Sequence, residues 1–147
     1  SVKRPTYVVV HVNHADEMTP AVEAACGRLA DAGLPLLSHS VLLRGVNDDA
    51  VVLARRFRKL IEKRINPYYL QHLDQAKGTS HFRVPLAEGR ELMRQMRGAV
   101  SGLCQPTYVL DIPGGHGKVP IGPDYLEMDD DGCRVVDPSG CRHRLDE

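Results

Sequence analysis

The sequence predicts an α/β fold, a parallel sheet of β/α units followed by a small β-rich appendage. Three observations predict it. Strand-like runs alternate with segments of helical period, in the order β-α three times and then β. Polar residues gather at the carboxyl ends of those runs, where parallel β/α architectures place their ligand sites. After Pro123 the composition shifts to short strand-like pieces separated by turn signals.

Residues 6–12, TYVVVHV, are β-branched and almost continuously apolar, which suits a strand buried on both faces. Thr19 can cap the first helix with Pro20 at its first position. Val22, Cys26 and Leu29 then repeat at helical spacing, and Gly33 stops the helix. Residues 34–43 read as the second strand. Asn47 or Asp48 can cap a second helix whose apolar face is Leu53, Phe57, Leu60 and Ile61. Residues 67–73, PYYLQHL, form the third strand. A third helix begins near Pro85, carries Leu92 and Met96 on one side and stops near Gly98. Residues 107–111, TYVLD, are the fourth strand and run into a glycine-rich loop. DDDG at 129–132 and PSG at 138–140 mark turns in the appendage.

At 147 residues the chain is the size of one modest domain, with 42% apolar and 26% charged residues. Its 19 basic residues balance 19 acidic ones, so nothing points to nucleic acid. No apolar run is long enough to span a membrane, and no signal peptide is evident. A cytoplasmic location with reduced thiols is expected for Cys26, Cys104, Cys133 and Cys141, none of which forms a C-x-x-C pair. Cys26 falls on the apolar helix face. Cys133 and Cys141 could pair or share a metal, but two unrelated thiols is the simpler reading.

His11, Asn13 and His14 end the first strand, Asp74 the third and Asp111 the fourth, so one site is expected at that edge. Carboxylates ending neighbouring strands, about 4.8 Å apart, could converge on one cation, and an ammonium group would relieve their repulsion. A helix cap, a structural ion pair or a hard-metal site are the alternatives. The loop 112–118 ends in Lys118 but has Ile112 and Val119 where a nucleotide phosphate loop needs glycine and Ser or Thr. That motif is therefore rejected. A lysine held by such a loop could form an imine with an aldehyde cofactor, or could simply face solvent. His11 suits hydrogen bonding to a polar ligand better than metal binding, and no metal site is expected. His72, His81 and His143 offer no usable spacing.

Taken together, HVNH (11–14), SVLLRGVN (40–47), PYY (67–69), HFR (81–83) and PTYVLDIPGGHGK (106–118) resemble the lysine 2,3-aminomutases. These are radical S-adenosylmethionine (SAM) enzymes dependent on pyridoxal phosphate. The stretches cover most of residues 6–123 in order. The resemblance implies that residues 1–123 are the C-terminal half of a partial (β/α)6 TIM-like barrel, with residues 124–147 as the appendage. It implies that Lys118 holds pyridoxal phosphate as a Schiff base and that Asp74 and Asp111 hold the side-chain ammonium of lysine. It suggests that His11 lies at the SAM site. The implied activity is the interconversion of L-lysine and β-lysine by a radical 1,2-amino shift, begun when a reduced [4Fe–4S] cluster cleaves SAM. Members acting on glutamate would not be expected to keep both acids, so the pair favours lysine, with an arginine-type cation left open.

The chain departs from the family pattern in several places. No three of its cysteines have the C-x-x-x-C-x-x-C spacing of the cluster motif. The arginines that bind the cofactor phosphate and the substrate carboxylate belong to a preceding segment in the family. Ser38-His39 stands where the family usually has Asn-Gln, which puts a ligand contact from His39 in doubt. His116 replaces a glycine, and Asp49 occupies the one zinc-cysteine position that aligns. Alone, the chain is expected to lack radical chemistry and to pair its open half with the missing N-terminal half or with itself. The other readings are a non-catalytic barrel fragment serving assembly or ligand binding, and a standalone pyridoxal phosphate enzyme.

Overall fold

The computed structural model describes residues 4–129 and 132–145. The elements follow in order as β1 (Val8–His11), α1 (Pro20–Asp31), β2 (Leu36–Val41), α2 (Ala50–Glu62), β3 (Ile65–Gln71), α3 (Leu86–Ala99), β4 (Thr107–Asp111) and β5 (Lys118–Pro120). Strands β6 (Leu126–Asp129), β7 (Gly132–Val136) and β8 (Arg142–Leu145) come last. The first five strands form one sheet in sequential order; β1 to β4 are parallel and β5 returns antiparallel to β4. Strands β6 to β8 make a separate antiparallel sheet. The turn expected at 129–132 includes residues 130–131, which lie outside the described residues.

Local chemistry explains where the helices begin and end. Thr19 Oγ1 accepts the Val22 N–H at 3.4 Å, and Pro20 opens α1. After α1 the chain turns at Gly33 with φ +81°, which a side chain would resist. The cap of α2 is neither Asn47 nor Asp48 but Asp49, whose Oδ1 accepts the N–H groups of Val51 and Val52. The two earlier residues are engaged elsewhere. Asn47 accepts from Leu43 N–H at 2.7 Å and donates to the carbonyls of Asn13 and Val41, while Asp48 accepts from Arg44 at 2.9 Å. Gly98 does not stop α3, which continues to Ala99. The last carbonyls are taken by side chains: Arg58 donates to Ala99 and Gln105 to Met96 and Val100, so a left-handed glycine is not needed there.

One core cluster joins all three helices to a single face of the large sheet. Cys26 of α1, Leu53, Phe57 and Leu60 of α2, and Leu92 and Met96 of α3 pack with Leu36, Ile65, Leu70 and Tyr108 of the strands. Ile61 packs against this cluster partly buried. Burying a side chain the size of Phe57 contributes about 1.5–3 kcal/mol. The opposite face is left without helices. The expectation that β1 is buried on both faces is therefore wrong: Val9 is 46% exposed and His11 is exposed beside it. A helix layer covers only one side, so alternate side chains of β1 meet no partner.

Strand β3 starts two residues earlier than expected and ends at Gln71, which places Asp74 in the loop beyond the strand. A register shift between Ser38 and His39 leaves Tyr68 as the extra residue, since Ser38 pairs with Pro67 and His39 with Tyr69. The small sheet touches α3 through Arg94, which donates to the Pro138 carbonyl, and Arg90 reaches Asp124 in the preceding segment at 2.8 Å. Cys133 is buried and Cys141 exposed, both as thiols. No helix among the described residues is long and apolar enough to cross a membrane.

Candidate functional site

The carboxyl ends of β3 and β4 carry the acids. Beyond Gln71 the chain stays tied to β4, because the His72 N–H donates to the Val109 carbonyl at 2.8 Å. Two residues on, the Asp74 carbonyl accepts from Ala76 N–H at 2.9 Å, turning the chain back toward α3. Strand β4 ends at Asp111 and enters the glycine-rich loop. Gly114, Gly115 and Gly117 there have φ of +90°, +80° and +103°, a conformation L side chains rarely adopt. The loop closes where Ile112 N–H donates to the Gly117 carbonyl at 2.8 Å, and β5 then sets Lys118 opposite Asp111. The hairpin thus turns a spacing of seven residues into a contact, with Lys118 Nζ 2.9 Å from Asp111 Oδ2. The ammonium also lies 5.4 Å from the centre of the Tyr69 ring.

Asp74 and Asp111 line one cleft of about 530 Å3, together with His72, Arg83, Leu110 and Pro113. Two carboxylates lining the same cleft suit a cationic guest, and Arg83 supplies one positive group among the lining residues. Lys118 is not among those residues; it meets Asp111 at the adjoining sheet face.

His11 and His39 lie on the open face rather than in the cleft. They are register partners on β1 and β2. The His39 ring packs 5.6 Å from Tyr68 and 5.3 Å from Tyr69, centre to centre. Its Nε2 is buried and has no hydrogen-bond partner among the described residues, while Nδ1 is 3.5 Å from Gln71 Nε2. Burial pulls the His39 pKa below the ordinary histidine value, and Lys118 and His11 lower it further. His14 is a structural cap: its Nδ1 faces Asp16 N–H at 3.3 Å, and Glu17 reaches back to the N–H groups of Asn13 and His14.

The single site expected at the strand ends is therefore two neighbouring clusters. The cleft holds both acids, the open face holds both histidines, and the Asp111–Lys118 pair joins them. Among the described residues no group of three or more His, Cys, Asp and Glu could hold a metal. From the sequence, His72 offered no usable spacing, and Tyr69 and Arg83 were assigned no role of their own. A histidine one residue past a strand and two before an acid was the available signal for His72.

The family model described as lysine-2,3-aminomutase matches residues 93–136, a span that includes Asp111, the glycine loop and Lys118. The L-lysine 2,3-aminomutase of Clostridium subterminale is 46% identical over 122 residues, which are 83% of this chain and 29% of that protein. The L-lysine 2,3-aminomutase of Fusobacterium nucleatum is 44% identical over the same shares. The glutamate 2,3-aminomutase of Clostridioides difficile is 41% identical over 83% of this chain and 29% of that protein. The chain spans about a third of the length of the curated relatives it matches. It belongs to the lysine 2,3-aminomutase family and corresponds to a C-terminal part of its members.

Proposed function

We propose that this chain is the C-terminal part of an enzyme that interconverts L-lysine and β-lysine by a radical 1,2-amino shift with pyridoxal phosphate and SAM. One observation carries the reading: Asp111 lines the cleft beside Asp74 and also holds the amino group of Lys118. A cofactor lysine and a cation site would then share one carboxylate.

The residues present fit pyridoxal phosphate in part. The Lys118 side chain is about one-third exposed, at 30%, and lies beside the ring of Tyr69, on which Tyr68 stacks. His39 Nε2 is a buried polar atom without a partner on the same face, ready to serve a polar ligand. Bound there, the cofactor would supply an electron-accepting ring conjugated to the substrate nitrogen. Asp111 would orient the Lys118 amino group before loading and be released to the cleft afterwards. Asp74 would then share with it the ammonium end of the guest. His11 is the residue of this chain assigned to the SAM side. An iron–sulfur cluster has no ligand set here, because Cys26, Cys104 and Cys133 are buried, Cys141 is exposed and none has the motif spacing.

The architecture is read as half of a partial (β/α)6 barrel at residues 1–123, with 124–147 as an appendage. Sequential parallel strands with every helix on one face are what right-handed crossovers produce in a barrel, and a doubly wound sheet would place helices on both. Among the described residues β1 pairs only with β2, and Tyr7 beside it is 62% exposed. That edge would be completed by the remaining part of the barrel or by a second copy. Four cysteines held as thiols suit a reducing cytoplasm.

The test compares lysine affinity with cofactor loading. Asp74→Asn is expected to weaken L-lysine binding by tenfold or more, on the order of the 1.5–3 kcal/mol of a charge-assisted hydrogen bond, while leaving pyridoxal phosphate loading unchanged. Unchanged lysine affinity would remove the ammonium role. Stronger binding of glutamate than of lysine would move the substrate class.

A further inference from the structure

Gly89, Tyr108 and His72 form a line from α3 to the cleft. Gly89 lies in the first turns of α3, where a Cβ would overlap the Tyr108 hydroxyl. Glycine inside a helix costs about 1 kcal/mol relative to alanine, and here it leaves room for that ring. The Tyr108 side chain is fully buried, and its hydroxyl lies 2.7 Å from His72 Nδ1. No other partner of that hydroxyl is present among the described residues. Burial pushes the phenol pKa up. Burial, then Arg83, pulls that of His72 down, against the opposing effect of Asp74. At neutral pH both groups are therefore uncharged. The hydroxyl hydrogen is then used only if O–H donates to a bare Nδ1, which leaves the ring hydrogen on Nε2.

The backbone points the same way. His72 is joined to β4 twice, through its N–H to Val109 and through its ring to Tyr108. Asp74 hangs two residues beyond this anchored point, and Asp111 stands three residues beyond Tyr108 on the partner strand. The tie between the two strands therefore bears directly on how far apart the two carboxylates sit.

We propose that His72 is a positioning residue: held by Tyr108 with its hydrogen on Nε2, it clamps the acidic loop after β3 to β4, sets the spacing of Asp74 and Asp111, and leaves an N–H donor on the cleft wall. The positioning role rests on the cleft being the ammonium site; the tautomer and the clamp do not.

The 147-residue chain allows both parts to be read. A long-range 1H–15N spectrum at pH 7 is expected to show His72 with Nδ1 unprotonated and Nε2 protonated. Tyr108→Phe should shift it to an average of both tautomers. The opposite tautomer, or averaging in the parent chain, overturns the proposal. L-Lysine binding should weaken in Tyr108→Phe on the order of fivefold, the ratio that matches about 1 kcal/mol for one hydrogen bond. His72→Gln keeps an acceptor for the hydroxyl and should retain most of the affinity, whereas His72→Leu should not. Equal losses in both His72 variants would overturn the clamp. Should the 147-residue chain not bind L-lysine, hydrogen exchange decides the clamp alone. Tyr108→Phe should then speed exchange at Ala76 and Thr79 several-fold without changing the amides of β3. Unchanged rates there overturn it.

Discussion

The two faces of the large sheet differ in almost every respect. On the covered face Phe57, Leu60, Ile65 and Leu70 are shielded from solvent by three helices. On the open face Val9, His11, His39, Tyr68 and Tyr69 meet solvent or one another, and Lys118 projects among them. The covered face is where stability is made. The open face carries polar groups whose partners are incomplete, as His39 Nε2 shows. The candidate residues His11, His39 and Lys118 thus sit where packing makes least demand on them, so they can change without unfolding the sheet.

The sharpest way to break that contrast is to truncate one ring on each face. Phe57→Ala should cost about 3–5 kcal/mol in urea unfolding, as for a fully buried aromatic. Tyr68→Ala on the open face should cost about 1 kcal/mol or less. Equal losses would mean that the open face is as firmly packed as the covered one.

Arg56 is the anomaly of the covered face. It is 1% exposed, donates to the Val12 carbonyl at 3.0 Å and leaves Nε and Nη2 without partners among the described residues. Burial draws its pKa down to about 9, with Glu17 offsetting part of the fall, yet the group stays charged at neutral pH. Its ring contact with Phe57, 4.0 Å from the guanidinium carbon, recovers some of the cost. Arg56→Met should stabilise the chain by about 1 kcal/mol, because an apolar side chain of similar length removes a partly unsatisfied buried charge. A loss of stability would show that the bond to Val12 outweighs desolvation.

Acid should act in two stages. His39 and His72 both have folded pKa values below the unfolded one, so the unfolded chain binds more protons once pH falls below about 6.5. Stability is therefore complete above that value and declines as pH falls through the folded values. Glu23, Glu88 and Asp137 are also held low, by Lys63 and Lys59, by Arg44, and by Ser139 with His143, and their contribution is lost only at more acid pH. Unfolding midpoints that hold steady from pH 7 to 5 would contradict the histidine assignment. The smallest expected effect is local. Lys118→Ala should raise the His39 midpoint part of the way to normal, since burial, the larger cause, remains.

Much of this was legible in the sequence, and the rest was hidden for physical reasons. Helical period and caps located the three helices, because Thr19-Pro20 and the Leu53–Phe57–Leu60 spacing act within a few residues. The cap of α2 was misread since Asn13, 34 residues away, engages Asn47. Burial of β1 was misread because apolar composition does not say whether a second layer exists. Asp111 and Lys118 could be brought together from the glycine loop and the resemblance. The His72–Tyr108 pair could not, since it depends on the register of β3 against β4 over a separation of 36 residues.

The most direct test of the central claim is to load the chain with pyridoxal phosphate, reduce with borohydride and map the labelled peptide. Label is expected on Lys118, lost in Lys118→Ala and kept in Asp74→Asn. Label on another lysine, or equal labelling of Lys118→Ala, would contradict it.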